Sequence, residues 1–274
     1  VDLHLHSTAS DGALPPAQVV AAAARAGLAA VALTDHDTID GVAEARAEGE
    51  RQGVRVIPGV ELSATDAAGE VHLLGLHLSR TDELQQLLGS FREVRRERAV
   101  RMVERLNALG VPVTLEAVLA QAGTGVIGRP HVARALVAGG WVRDMRDAFE
   151  RWLGSGRPAN VEKKRLELGE AIELVHEAGG LAVLAHPGAD ATRARLEELR
   201  ALGLDGVEVR HPSHSAEDMA RIGALADHLG LVPSGGSDWH GTLDGSRAIR
   251  CMQVPMRWLE QQDALVRERS ERVA

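Results

Sequence analysis

His4 and His6 stand two residues apart in the opening stretch Val1-Asp-Leu-His-Leu-His-Ser-Thr-Ala-Ser-Asp11-Gly. Apolar and polar residues alternate there, so the segment reads as a strand with both imidazoles on one face. Side by side at a strand end, two imidazoles pack poorly and bind metals well. Similar residues recur down the chain. Asp35-His36-Asp37, Glu61, His72, His186-Pro187, His211 and Asp238-Trp-His240 each lie near the end of an apolar run. Barrels and open α/β sheets place their sites at those carboxyl ends. His77 follows His72 by five positions, so strand alternation sends it to the opposite face. His176 and His228 fall inside helical stretches and His214 in a loop, which suits structural or solvent-facing roles. Cys251 is the single cysteine and sits in no nucleophile motif; it rules out an intramolecular disulfide and fits a cytoplasmic protein.

The elements that must position these residues follow from periodicity. Apolar runs at 1–6, 29–35, 54–62, 71–78, 181–186, 206–211 and 231–235 read as strands. Helical patterns at 16–26, 42–52, 168–178, 192–201 and 216–229 alternate with them, as in an α/β fold. Between 82 and 164 the strand signal fades and helices dominate, broken by Gly110, Gly123 to Gly128 and Gly154 to Pro158. With 274 residues, the simplest account is an α/β body formed by 1–80 and 165–274, interrupted by a helical insertion over 81–164. The start does not read as a signal peptide and no run of about 18 apolar residues occurs, so neither export nor a membrane is expected.

The chain carries 31 Lys and Arg against 39 Asp and Glu. Residues 81–165 invert that balance, with 15 basic against 10 acidic, leaving 16 against 29 elsewhere. An acidic body gathering cations and an arginine-rich cap receiving an anion fit this split. Four Trp, two Phe and no Tyr give few stacking platforms for single-stranded nucleic acid. Helix 91–106 mixes Arg92, Arg95, Arg96, Arg98, Arg101 and Arg105 with Glu93, Glu97 and Glu104 at three-and-four spacing, which reads as intrahelical pairing. Trp141 and Trp152 read as core of the helical region.

Five ordered motifs carry a family resemblance: His4-Leu-His6-Ser-Thr-Ala-Ser-Asp11-Gly, Thr34-Asp35-His36-Asp37, Gly59-Val-Glu61-Leu-Ser, Ala185-His186-Pro187-Gly and Ser237-Asp238-Trp-His240. Together they resemble the PHP (polymerase and histidinol phosphatase) family of metal-dependent phosphoesterases, within the amidohydrolase-like group. The resemblance implies a distorted, seven-stranded (β/α)7 barrel with two or three divalent ions. It implies one ion among His4, His6, Glu61 and Asp238, and a second sharing Glu61 with His72 and His186. A third would lie among Asp11, His36 and His240, where many relatives carry His in place of Asp11. The resemblance also favours His72 over His77. The mixed oxygen and imidazole donor set suits Mn²⁺ first, with Mg²⁺, Fe²⁺ or Zn²⁺ as alternatives. Asp35 either orients the ligands or caps the following turn.

Such ions lower the pKa of a bridging water from about 15.7 toward neutrality and hold phosphoryl oxygens, so no Ser or Cys nucleophile is needed. Glu61, Asp238 and His211 are the expected catalytic group. His211 would protonate the leaving oxygen or hydrogen-bond phosphate, its alternative being a strand-end His facing solvent. In the insertion, Gly128-Arg129-Pro130-His131 opens a helix that continues to Arg134, and an Arg at a helix N-terminus is an anion site. Lys163 and Lys164, the only lysines, suit point-charge contact with phosphate or a solvated turn. An insertion with these residues resembles the nucleoside 3′,5′-bisphosphate phosphatase branch, which implies removal of the 3′-phosphate, for example from adenosine 3′,5′-bisphosphate. The alternatives are a 5′→3′ exonuclease on short 5′-phosphorylated RNA and a histidinol-phosphate phosphatase. The expected partner is a small nucleotide or short RNA, with no membrane and no obligate protein partner.

Overall fold

The computed structural model describes residues 1–67, 69–123, 125–162, 166–241 and 248–273. Short buried strands alternate with helices through most of the chain: β1 (Asp2–Leu5), α1 (Pro16–Arg25), β2 (Ala30–Leu33), α2 (Val42–Gln52) and β3 (Arg55–Asp66) come first. After β4 (Gly69–Leu76) comes a helical stretch of α3 (Asp82–Ala108), α4 (Leu115–Ala122), α5 (Arg129–Ala138) and α6 (Met145–Ala148). Alternation resumes with β5 (Leu166–Glu167), α7 (Leu168–Glu177), β6 (Leu181–Leu184), α8 (Arg193–Ala201), β7 (Gly206–Arg210), α9 (Ala216–Leu229), β8 (Val232–Gly235) and α10 (Met256–Val273). The fold is α/β, as the alternation implies. No helix among the described residues is long and apolar enough to cross a membrane.

The sheet runs β1-β2-β3-β4-β6-β7-β8, with the short β5 paired to β3. Neighbours are parallel except at β4, which is antiparallel to both β3 and β6. Asp66 pairs with Gly69 across a tight hairpin, a loop far too short for a parallel crossover. That pairing carries β3 to Asp66, beyond the 54–62 run seen in the sequence. The sheet curls: Asp238 N–H donates to the His4 carbonyl at 3.0 Å and His6 N–H to the Trp239 carbonyl at 3.0 Å, laying the segment after β8 beside the end of β1. Gly236 permits this approach, because a Cβ there would stand 2.3 Å from His4 Cβ.

The sheet's two faces are sealed by apolar clusters around Leu62, Leu73 and Val207 on one side and Leu3, Leu74 and Leu181 on another. The α3–α6 stretch holds a separate cluster built on Met102, Leu106, Val118, Val132, Leu136 and Leu153. Trp152 packs against it, whereas Trp141, in the turn after α5, is exposed and is not core. α3 begins nine residues before the position sequence periodicity marks, and α10 carries no strong sequence signal because its apolar positions are sparse.

Candidate metal centre

Glu61, midway along β3 and buried, is the hub of the site. Its Oε2 lies 3.2 Å from His4 Nε2, 3.2 Å from His6 Nε2 and 3.1 Å from His36 Nδ1. Its Oε1 lies 2.8 Å from His72 Nδ1 and 3.0 Å from His186 Nε2. Strand β1 delivers His4 and His6 on one face, as their spacing requires, while β4 and the end of β6 deliver His72 and His186. Asp238 Oδ1 stands 3.2 Å from His6 Nε2 and 3.5 Å from His4 Nε2. Asp11 Oδ1 lies 3.2 Å from His240 Nε2, and His6, Asp11, His36 and His240 offer donor atoms within 4.8 Å of one another. All nine residues expected as ligands therefore converge. Two, His186 and Asp238, hold positive φ values of 29° and 50°, backbone conformations that cost a non-glycine residue and cluster at functional sites.

The electrostatics match a cation site. Burial opposes charge on Glu61, yet His36, His72 and His4 beside it hold its carboxyl well below the usual range. Burial likewise opposes charge on His6, but Asp238 and Glu61 push its pKa up to about 10. Burial brings His36 down to about 3 despite Glu61 and Asp11. Carboxylates and imidazoles this close attract one another as ions, and a divalent cation would displace the imidazole protons. The fit is tested by the nitrogens themselves: His6 Nδ1 and Nε2, His36 Nδ1 and His72 Nδ1 are buried without a hydrogen bond. Buried polar atoms are seldom left so, and a mixed N and O donor set of this kind suits a divalent transition metal.

A family model for the PHP domain matches residues 2–160. The chain belongs to the PHP family. It is 40% identical to the 3′,5′-nucleoside bisphosphate phosphatase of Chromobacterium violaceum over 91% of this chain and 90% of that one. It is 36% identical to a 5′-3′ exoribonuclease of Haemophilus influenzae, over 87% and 89%. A Bifidobacterium adolescentis structure described as a candidate metal-dependent phosphoesterase superposes with a TM-score of 0.83 at 33% identity, covering 93% of this chain and 97% of that one. As a PHP metal-dependent phosphoesterase, the protein is a hydrolase of phosphoric esters.

Around this PHP centre the remaining sequence candidates separate. Asp35 holds the loop after β1, accepting from Ser7 N–H at 2.7 Å and from the Ser7 and Ser10 hydroxyls at 2.6 Å. His211 is buried beside the centre and does not face solvent; its Nδ1 accepts the Ser213 N–H at 3.1 Å, placing the ring proton on Nε2, 3.4 Å from Asp238 Oδ2. His214 is structural, bridging the Val209 carbonyl and the Gly188 N–H at 3.0 Å each. His77 faces away from the centre, toward Gln262 at 3.2 Å.

Of the substrate candidates among the described residues, Arg129 alone reaches the cavities. A space of about 330 Å³ is walled by His72, His186, Arg129, Asp190 and Arg195, and one of about 120 Å³ by Asp11, His36, His72, Arg95, Arg98 and Arg129. Arg134 donates to the Asp11 carbonyl, and His131 is buried, its Nδ1 accepting the Gly128 N–H at 2.9 Å as a helix cap. Lys163 and Lys164 lie outside the described residues. Sequence reading missed Arg95, which crosses from α3 to pair with Asp37; its helical spacing resembled an ordinary intrahelical pair. It also missed Glu208, whose only signal is an acid amid the apolar residues of β7.

Proposed function

We propose that this PHP protein removes the 3′-phosphate of nucleoside 3′,5′-bisphosphates, converting adenosine 3′,5′-bisphosphate to AMP and phosphate. The observation that carries the reading is the cavity of about 330 Å³ where the imidazoles of His72 and His186 face the guanidinium groups of Arg129 and Arg195. Its size falls at the lower end of small-molecule sites, roughly 300–1,000 Å³. Each guanidinium also meets a carboxylate, Arg129 with Glu70 at 3.5 Å and Arg195 with Asp66 at 2.6 Å, and a substrate with a second anionic group would take up their remaining N–H donors.

His4, His6, Glu61 and Asp238 would hold one ion, Glu61, His72 and His186 a second, and Asp11, His36 and His240 a third, with Mn²⁺ the preferred metal. When bound, such ions lower the pKa of water toward neutrality and neutralise phosphoryl oxygens. The chain does the rest. His211, its proton directed to Nε2 by Ser213, donates a hydrogen bond to a phosphoryl or leaving oxygen. Arg129 and Arg195 fix the second phosphate, and Arg95, tied to Asp37, adds positive charge on the Asp11 side. The helical stretch 81–164, with its own apolar cluster, serves as the cap on a distorted (β/α)7 barrel.

A second reading, trimming of short 5′-phosphorylated RNA from its 5′ end, is supported by the similarity to the Haemophilus influenzae exoribonuclease. Parallel assays of adenosine 3′,5′-bisphosphate and a 5′-phosphorylated diribonucleotide decide between them. The proposal expects higher kcat/KM on the bisphosphate; turnover of the dinucleotide alone would reverse the assignment.

A further inference from the structure

Glu208 is fully buried in β7, an expensive position for an acid unless it is fully paired. One of its oxygens lies 3.1 Å from His4 Nδ1 and the other 3.4 Å, and the latter accepts the His186 N–H at 2.8 Å. A carboxylate can only accept, so His4 Nδ1 carries the proton facing it. His4 Nε2 then keeps its lone pair for the side where Glu61 and Asp238 lie. The second contact fixes a strained point: His186 has a φ of 29°, and its backbone is held by this bond while Nε2 extends to within 3.0 Å of Glu61. The two rings lie stacked, with centroids 5.8 Å apart.

We infer that Glu208 is a positioning residue shared by two metal sites, orienting His4 toward the first and His186 toward the second. The inference rests on the ligand assignment proposed above. Glu208 lines neither candidate cavity; it also stands near His211, whose ring shares a cluster with Glu208 and His4 within 4.8 Å, but its hydrogen bonds run to His4 and His186. Outer partners of this kind typically govern about 10–100-fold in metal affinity.

Mn²⁺ titration of the metal-free protein by calorimetry and electron paramagnetic resonance tests this. Wild type is expected to bind two tight ions with an exchange-coupled spectrum. Glu208→Gln keeps the shape but presents an amide, and it should weaken both ions about 10–100-fold and replace the coupled spectrum with that of isolated Mn²⁺. A merely structural role would instead lower the metal-free melting temperature and leave affinity intact. Wild-type affinities in Glu208→Gln, or weakening of one ion alone, overturn the inference and leave the metal centre standing. A wild type that binds no Mn²⁺ overturns the metal assignment, and the inference with it. Should the variant fail to fold, nitrogen-15 spectra of wild type loaded with Zn²⁺ decide the matter. His4 protonated on Nδ1 supports the assignment, and His4 protonated on Nε2 overturns it.

Discussion

Glu61 and Asp205 are both buried carboxylates, one at the metal end of the sheet and one at the opposite end, just before β7. Asp205 is met by fixed donors, the Ala182 N–H at 2.8 Å and both ends of the Arg269 guanidinium, with one imidazole, His176 Nε2 at 2.8 Å, beside them. Glu61 is met, among the described residues, by the rings of His4, His6, His36, His72 and His186. A backbone N–H or a guanidinium can only donate, so Asp205 is complete. A neutral imidazole offers a lone pair as readily as a proton, so the Glu61 group can take cations, as proposed above. The same carboxylate is scaffold in one place and chemistry in the other, and its neighbours decide which.

The largest expected effect separates the two directly. Glu61→Gln should lower kcat/KM for phosphoester hydrolysis by at least about 10³-fold, roughly 4 kcal/mol of transition-state stabilisation, with a modest change in metal-free stability. Asp205→Asn should do the reverse: roughly 2–4 kcal/mol of stability lost, less than for a fully buried pair because Arg269 is partly exposed, and near-normal kcat per folded molecule. That loss corresponds to roughly 5–15 °C in melting temperature, readable by calorimetry. Equal stability losses in the two variants would erase the distinction.

Metal addition sharpens it. Mn²⁺ at about 100 times its dissociation constant should stabilise wild type by about 2.7 kcal/mol, or roughly 5–10 °C. The shift should persist in Asp205→Asn and vanish in Glu61→Gln. A thermal scan with and without chelator reads both.

The smallest effect concerns His77. Burial lowers its pKa, with Gln262 and Asp263 pulling the other way. A base whose folded pKa lies below its unfolded value of about 6.5 contributes its full stability above that pH and loses it as pH falls toward the folded pKa. Thermal scans from pH 7 to 5 should therefore slope downward on acidification. His77→Asn, chosen because Asn tolerates the φ of 62°, should flatten that slope while leaving Mn²⁺ binding intact. An unchanged slope would remove His77 from the scaffold end.

Much of this was legible in the sequence because the donors sit at strand ends, and a period of two tells which face each takes. His4 with His6 follows from that alone; alternation puts His72 and His77 on opposite faces, and the family resemblance chose His72 between them. The substrate side was harder to read, since Arg95 reaches Asp37 through the packing of α3 on the sheet, and helical spacing records only neighbours on the same helix. His131 was a substrate candidate because of its motif, and the structure adds a role that the motif does not record: its Nδ1 accepts the Gly128 N–H at the start of α5. Glu208 was passed over since a single acid in a strand carries no spacing with which to pair it. The antiparallel β4 was hidden because alternation does not encode strand direction.

The central claim is that Glu61 is shared between divalent ions. Anomalous diffraction at the manganese edge from crystals soaked in Mn²⁺ tests it most directly. The account predicts peaks on both sides of Glu61, each about 2.0–2.3 Å from its nearest oxygen or imidazole nitrogen, one toward His4, His6 and Asp238 and one toward His72 and His186. Active, Mn²⁺-soaked protein with no anomalous density within reach of Glu61 would contradict it.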